Sequence, residues 1–255
     1  MAPRFRVDRV SERLWFAQTE HVNWAMYAGD EGVTLIDSGF AGHRALLVAS
    51  LEAAGRDPAD VAAVLITHGH ADHLGGAAWL AERFGTPVHA CRAELPNLRG
   101  DVLQQVGPSA VMRNAWRPGV ARWGMAIMPL LRFRPGLGVP SATALPVQDG
   151  GRVAVPGRPR AIVLDGHTSG HAAFDFEDDG VLVVGDAIVT GHGATTVAGP
   201  QLLPSVFHHD PGGARTSLAR LRSSAAGVVL PGHGPAWIGP VGPVVDLALD
   251  AGWPW

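Results

Sequence analysis

Four residues that can bind a metal ion lie within six positions of one another: His68, His70, Asp72 and His73. Imidazole nitrogen and carboxylate oxygen are the ligands that zinc prefers where thiolates are absent. Four ligands this close cannot all converge from one regular strand or helix, so the segment is predicted to be a loop that turns at Gly69. Asp72 and His73 are adjacent, point differently from the first pair, and could therefore serve a second ion.

Three further candidate ligands lie in glycine-flanked segments: His167 in GHTSGH, Asp186 in VGDA and His233 in PGHG. Each is close to a short apolar run, as the first four are. The alternative, a polar surface loop whose histidines are satisfied by hydrogen bonds, leaves this shared setting unexplained. The sequence predicts a centre of two divalent ions, with zinc favoured and iron or manganese as alternatives for the same ligands.

Such a centre would make the chain a hydrolase. Water held between two divalent ions loses a proton near neutral pH and becomes a hydroxide nucleophile. Two ions bring four positive charges, and Asp72, Asp186 and the hydroxide remove three, so positive charge remains to stabilise an oxyanion. Asp72 is the candidate catalytic residue, because it could steer or accept a proton. The sequence contains no G-x-S-x-G nucleophile motif, and this chemistry needs none.

The elements that must position these residues occur twice in the same order: a strand ending in aspartate, a helix, and a strand ending in histidine. The first half is predicted as a strand at 32–39 containing Asp37, a helix at about 42–54 and a strand at 61–67, followed by a helix at 74–84 and a strand at 87–90. The second half is predicted as a strand at 181–186, a helix at about 212–222 and a strand at 227–230. Short, β-branched, glycine-bounded runs are typical of buried strands. The pattern indicates an α/β fold of two sheets packed face to face, with helices outside and a metal cleft at one edge. Coincidence between two ordinary αβ units is the alternative.

The stretch between the halves, residues 101–149, does not follow this pattern and is interpreted as an inserted cap. Positions 102–148 contain five arginines and no acidic residue. Large apolar side chains accompany them: Met112, Trp116, Trp123, Met125, Met128 and Phe133. Long insertions over a cleft often contact substrate, and Trp116 and Trp123 are the candidates for this role. The alternatives are a cap that packs only on itself, or one that meets a membrane surface or a second copy of the chain.

Composition limits the remaining possibilities. Length 255, with 47% hydrophobic and 17% charged residues, is typical of one large globular enzyme domain. The net charge of −3 argues against a nucleic-acid partner and leaves a small-molecule substrate, whereas the oligomeric state stays open. The single cysteine cannot form an intrachain disulfide, and no apolar signal segment or membrane span is evident, so the interpretation is a cytoplasmic protein.

The segment Thr67 to His73 resembles the T-H-x-H-x-D-H motif of the metallo-β-lactamase-fold hydrolase superfamily, and the GHTSGH, GD and PGHG segments match its later motifs. The resemblance extends over the whole chain. It implies an αββα sandwich of two similar halves, forming one domain over 1–255 with the cap inserted. It also implies a ligand assignment: His68, His70 and His167 on one metal, Asp72, His73 and His233 on the other, and Asp186 bridging both.

The resemblance suggests roles for further residues. Asp37 would support the ligand loop from below, although a strand-end turn residue is an equally good interpretation. His208 and His209 lie where the family often places substrate contacts. His21, Asn23 and Trp24 are predicted in a hairpin turn that either borders the metal cleft or has no role.

Within this superfamily the sequence favours hydrolysis of an ester, lactone or thioester of a small, partly apolar substrate. Phosphodiesterase or nuclease, β-lactamase, single-iron sulfur dioxygenase and an inactive metal-binding scaffold are the alternatives. Flavin–diiron members carry glutamate where this chain has His70, and β-lactamases of this fold generally lack the aspartate at 186. Hydroxyacylglutathione hydrolases carry a helical domain after the last ligand, where 22 residues follow His233 here. Quorum-sensing lactonases add a tyrosine beside the metals, whereas Tyr27 is the only tyrosine in this sequence.

Overall fold

The computed structural model describes residues 5–131, 138–145 and 148–255, which contain two β-sheets. The strands of the first sheet follow one another in sequence order: β1 Phe5–Arg9, β2 Leu14–Thr19, β3 Asn23–Gly29, β4 Gly32–Ile36, β5 Val61–Leu65, β6 Val88–Ala90 and β7 Thr143–Ala144. The second sheet contains β8 Arg160–Val163, β9 Ala172–Phe176, β10 Val181–Gly185, β11 Val228–Pro231 and β12 Trp237–Ile238, again with sequence neighbours paired.

Parallel pairing occurs at equivalent places in the two sheets. β4 pairs with β5, and β10 pairs with β11, in parallel. Asp37 directly follows β4 and Asp186 directly follows β10, whereas His68 and His233 follow β5 and β11. Because the carboxyl ends of parallel neighbours meet at one edge of a sheet, each sheet brings an aspartate and a histidine to its edge. The predicted repeat of strand–aspartate, helix and strand–histidine is confirmed.

Seven helices flank the sheets within the described residues: α1 Arg44–Ala53, α2 Ala71–Phe84, α3 Leu95–Arg99, α4 Pro108–Arg113, α5 Val120–Leu131, α6 Pro211–Ser217 and α7 Val241–Ala251. One apolar cluster lies between the sheets and combines Phe16 and Ile36 of the first with Phe174 and Leu230 of the second. A second cluster packs α1 and α2 on the first sheet, and a third packs α7 on the second. These layers form the predicted αββα sandwich.

The start of α2 corrects the prediction that Asp72 and His73 lie in a loop with the other ligands. The helix begins at Ala71, and His70 precedes it with extended backbone angles, φ −76° and ψ 149°. The Asp72 carboxylate in the first turn suits the positive end of the helix dipole. Successive helical residues are rotated by about 100° around the axis, so the first turn still directs Asp72 and His73 differently.

The segment predicted to be a cap contains α4 and α5, which differ in their exposure. Val120 and Trp123 of α5 are buried against Leu203 and Phe207. By contrast, Trp116 between the helices is 76% exposed. The cap residues Arg132, Phe133 and Arg134 lie outside the described residues.

Candidate metal centre

Seven histidine and aspartate side chains converge at the edge where β4, β5, β10 and β11 end. Their candidate ligand atoms form two groups, and the atoms within each group all lie within 4.8 Å of one another. The groups are His68, His70, His167 and Asp186, and Asp72, His73 and His233. Asp186 also reaches the second group, since its Oδ2 lies 3.2 Å from Nε2 of His233 and its Oδ1 lies 3.4 Å from Nε2 of His73.

Asp37 and Thr67 orient two of the imidazoles from below. Nδ1 of His73 donates to Oδ2 of Asp37 over 2.8 Å. The Thr67 hydroxyl donates to the same carboxylate and accepts from Nδ1 of His68 over 3.0 Å. Asp37 also accepts from the Thr67 amide, and it adopts a left-handed backbone with φ 63° directly after β4. Because both outer Nδ1 atoms carry protons, Nε2 of His68 and Nε2 of His73 can present lone pairs to the centre.

Backbone carbonyls orient two more imidazoles. Nε2 of His70 donates to the Gln104 carbonyl over 2.9 Å, which leaves the lone pair of a neutral ring on Nδ1. Nδ1 of His233 donates to the His21 carbonyl over 2.5 Å and leaves Nε2 facing inward. His70 therefore offers a different ring nitrogen from the other histidines, a distinction that sequence spacing does not reveal.

His208 orients the last imidazole through a hydrogen bond. Nε2 of His208 donates to the Leu203 carbonyl over 3.1 Å, so its Nδ1 can accept the Nδ1 proton of His167 over 3.2 Å. Burial lowers the pKa of His208 to about 4, which keeps this ring neutral at pH 7. Nε2 of His167 is then free to act as a ligand. His209 is exposed, and only its backbone amide contacts His167.

The electrostatics of the centre call for a cation. Burial alone would lower the pKa of His73, but Asp186, Asp37 and Asp72 together raise it to about 10. Burial would likewise raise the pKa of Asp186, but the imidazoles of His233 and His73 lower it well below its ordinary value. The carboxylates thus favour positive charge at this place, and a divalent ion bound here would displace the proton that His73 carries in the metal-free protein and take its Nε2 lone pair.

Three buried polar atoms of the candidate ligands have no hydrogen-bond partner. Nε2 of His68, Nε2 of His73 and Oδ1 of Asp186 are buried without a partner. Nδ1 of His70 and Nε2 of His167 lie 3.2 Å apart, and with their outer nitrogens protonated both atoms present lone pairs. Two lone pairs at this distance repel unless a cation lies beside them. The donor set therefore fits divalent metal ions.

Three further residues support the segments around the centre. His171 supports Asp186, since its Nε2 accepts from the Asp186 amide over 3.2 Å. Asn23 donates from its side chain to the Pro231 and Gly234 carbonyls, on either side of His233. Tyr27 is part of the apolar cluster between the sheets and stacks on Phe176, 5.7 Å between ring centroids.

The two candidate substrate contacts in the cap differ. The Trp123 ring lies 5.1 Å from the ring of His192, which in turn lies 4.7 Å from the ring of His233. Trp116 instead contacts the guanidinium of Arg117, 4.6 Å from its ring. Only the ring of His192 therefore separates Trp123 from the candidate ligand His233, whereas Trp116 is exposed to solvent.

Sequence reasoning did not find two residues that hold the ligand loops, Glu94 and Gln104. Glu94 is completely buried and accepts from the Gly69 amide over 2.7 Å. The carbonyl of Gln104 accepts from His70, as described above. Neither lies in a recognisable metal motif, because Glu94 has polar neighbours such as Arg92 and Asn97, and Gln104 lies in a polar Gln-Gln pair.

Comparison with known proteins agrees with this geometry. A sequence model of the metallo-beta-lactamase superfamily matches residues 18–233, so the chain belongs to that superfamily. It is 30% identical over 208 residues to the probable metallo-hydrolase YflN of Bacillus subtilis (strain 168), with 78% of this chain and 74% of that protein covered. Among solved structures, it is similar to the metallo-beta-lactamase family protein TTHA1429 from Thermus thermophilus, with a TM-score of 0.61, 27% identity, and 90% and 73% of the two chains covered. TTHA1623 in a di-iron-bound form gives a TM-score of 0.57 and 25% identity, with 90% and 94% covered.

These comparisons make the chain a metallo-hydrolase of the metallo-beta-lactamase superfamily. Its two histidine–aspartate clusters indicate divalent metal binding. Within the described residues, none of the helices has the length and apolar character needed to cross a membrane.

Proposed function

We propose that the chain is a dinuclear metal-dependent hydrolase that cleaves an ester, lactone or thioester. The observation that carries the proposal is the set of seven converging donors, in which a hydrogen bond already holds the outer ring nitrogen of each of the five histidines. His68, His70 and His167 would hold one ion; Asp72, His73 and His233 would hold the other; Asp186 would bridge them. Zinc is favoured by the ligand types, and iron is an alternative because the related TTHA1623 was solved in a di-iron-bound form.

The charges that such a centre would have support acyl cleavage. Two divalent ions would supply Lewis acidity and a net positive charge beyond the carboxylates of Asp72 and Asp186, which suits the oxyanion of an attacked carbonyl. The Asp72 side chain is 15% exposed, against 3% for Asp186 and His233. This exposure supports Asp72 as the residue that would exchange a proton with a substrate in the cleft.

Metal content tests the dinuclear arrangement. Chain purified without chelator and loaded with zinc is expected to contain two equivalents per monomer by elemental analysis, because each donor group is complete. His167→Ala should reduce this content, since it removes a donor from the first group.

His209→Ala is the matched control for that experiment. It removes a neighbouring but exposed histidine side chain and should leave two equivalents in place. A firm stoichiometry of one for the unmodified chain under metal-replete conditions would contradict the dinuclear proposal.

Trp123 provides a test of the apolar substrate. We expect Trp123→Ala to lower kcat/KM for long acyl esters about tenfold more than for short ones, because the ring would cover the apolar part of the substrate. Trp116→Ala removes the same side chain from an exposed position and should affect both lengths equally.

Comparing two substrate lengths in one variant separates binding from any loss of folded protein. Equal effects of Trp123→Ala on short and long esters would indicate that the cap packs only on itself. Faster cleavage of phosphodiesters than of every acyl substrate by the unmodified chain would overturn the proposed reaction class.

A further inference from the structure

A buried carboxylate lies behind the metal centre. Glu94 precedes α3, is fully buried, and forms no salt bridge with any cation in the described ranges. Its Oε1 accepts from the Gly69 amide and from Nδ2 of Asn97, both over 2.7 Å. Its Oε2 accepts from the Thr168 hydroxyl over 2.7 Å and from the Gly170 amide over 2.8 Å. Four donors therefore converge on one side chain.

These donors belong mainly to the two loops that contain the histidines of the first group. Gly69 lies between His68 and His70, in the loop that follows β5 of the first sheet. Thr168 and Gly170 follow His167, in the loop between β8 and β9 of the second sheet. Glu94 thus connects two ligand loops that reach the centre from different sheets.

Glycines in both loops allow this close approach. A Cβ at Gly69 would lie 2.7 Å from Nδ2 of Asn97 and 3.1 Å from Oε1 of Glu94. A Cβ at Gly170 would collide with the backbone nitrogen of Glu94. Gly69 does not adopt a positive φ, so this position does not use the left-handed backbone freedom of glycine. Its missing side chain instead gives Glu94 access to the loop.

A second connection joins the same two loops. The Gln104 carbonyl accepts from His70, and the Gln104 side chain accepts from the Ser169 amide over 2.9 Å and donates to its hydroxyl over 2.6 Å. The backbone amide of Gln104 in turn donates to Oδ1 of Asn97 over 3.2 Å. The orientation of the Asn97 amide group is therefore fixed, because its Oδ1 serves Gln104 while its Nδ2 serves Glu94.

We propose that Glu94 is a positioning residue that sets the separation of the two ligand loops and thereby the metal affinity of the group His68, His70 and His167. This inference rests on the proposed metal centre. It predicts a selective effect, since none of the four donors to Glu94 belongs to the helix turn that contains Asp72 and His73 or to the loop that contains His233.

Glu94→Gln is the sharpest change because it preserves size. A carboxamide has one acceptor oxygen, so two of the four donors must face its NH2 group. The less costly orientation directs this NH2 group toward Thr168 and Gly170, since the Thr168 hydroxyl can rotate and accept a hydrogen bond from it. The Gly170 amide then loses its acceptor, and the His167 loop is the one expected to move. Partners that orient metal ligands typically contribute about 10–100-fold to affinity, so we expect a loss of that size at the first group only.

The test uses Co²⁺ alone as the probe. The full chain is stripped of metal and titrated with Co²⁺ in competition with a chelator, while visible absorption reports ligand geometry and thermal unfolding of the metal-free protein reports stability. In Glu94→Gln one of the two binding steps should weaken about 10–100-fold with a changed spectrum, and the other should stay within about twofold. Asp175→Asn is the matched control: Asp175 is a buried carboxylate paired with Arg160, and its loss should lower stability without changing either affinity.

Thr168→Val covers the case in which Glu94→Gln does not fold. It removes a single donor to Oε2 and should weaken the same binding step by a smaller factor. If the folded variants lose stability but keep both Co²⁺ affinities, Glu94 is merely structural and the inference is wrong. If the unmodified chain binds no Co²⁺, the proposed function itself fails, a result distinct from an unchanged affinity in the variants.

Discussion

Replacing Asp72 with alanine is expected to lower kcat/KM by about 10²–10⁴-fold, the usual contribution of a positioned proton-transfer group. The variant also loses a candidate ligand, since Oδ2 of Asp72 lies 3.4 Å from Nε2 of His233. The fold should survive, because the side chain is partly exposed and a carboxylate in the first helical turn contributes only about 0.3–1 kcal/mol. Initial rates of the zinc-loaded variant and its thermal unfolding midpoint are the measurements.

Two further variants sharpen this experiment. Glu82→Ala removes an exposed carboxylate from the same helix and should leave kcat/KM unchanged. Asp72→Asn keeps an oxygen that can bind metal but cannot accept a proton as a carboxylate does, so it should retain metal better than activity. An Asp72→Ala variant that folds, holds both metals and turns over at the unmodified rate would show that Asp72 has been assigned the wrong role.

Asp186→Asn should have the other large effect, on metal content and activity together. One carboxylate lies between the two donor groups, with Oδ2 3.7 Å from Nε2 of His167 and Oδ1 3.4 Å from Nε2 of His73. A carboxamide has the same shape but only one oxygen and no charge, so it cannot bridge two cations. We expect zinc content to fall from two equivalents to at most one, and kcat/KM to fall by at least about 10³-fold.

Elemental analysis and rate measurements on the same preparation would test this expectation. Asp175→Asn makes the same exchange at a buried aspartate whose partner is Arg160, and it should retain two equivalents. If Asp186→Asn also retained two equivalents, the carboxylate would not bridge the ions, and each group would have to bind its metal without it.

The positions of the candidate ligands were predictable because they follow apolar strands. The runs that became β5, β10 and β11 end beside His68, Asp186 and His233, and parallel pairing then brings these ends together. The start of α2 was placed three residues too late because the polar His-Ala-Asp-His segment hides the helical periodicity. The helical spacing of apolar residues begins only at Leu74, whereas the helix itself begins at Ala71, directly after the extended residue His70.

The groups that orient the ligands could not be predicted in the same way. Glu94 and Gln104 act on loops 25 or more residues away, through backbone amides and carbonyls that every residue carries. The sequence therefore contains no residue pattern for these contacts. The different exposures of Trp116 and Trp123 were equally hidden, because prolines interrupt any helical period in that segment and burial depends on Phe207, far along the chain.

The contact between His70 and the Gln104 carbonyl defines where a foreign segment could be transplanted into this scaffold. Gln104 and Gln105 open the stretch leading to α4, yet they hydrogen-bond to His70 and to the Ala71 amide. A chimera joined before Gln104 would lose the side chains of Gln104 and Gln105, whose hydrogen bonds to Ser169 and to the Ala71 amide hold the backbone carbonyl of residue 104 against His70. A chimera joined after Gln105 would change the residues that follow, which could line the cleft, and would keep the contacts of Gln104 and Gln105 with His70 and Ala71. The junction for exchanging substrate specificity between relatives therefore lies just after Gln105, inside the segment 101–149 and not at residue 101, where that segment begins.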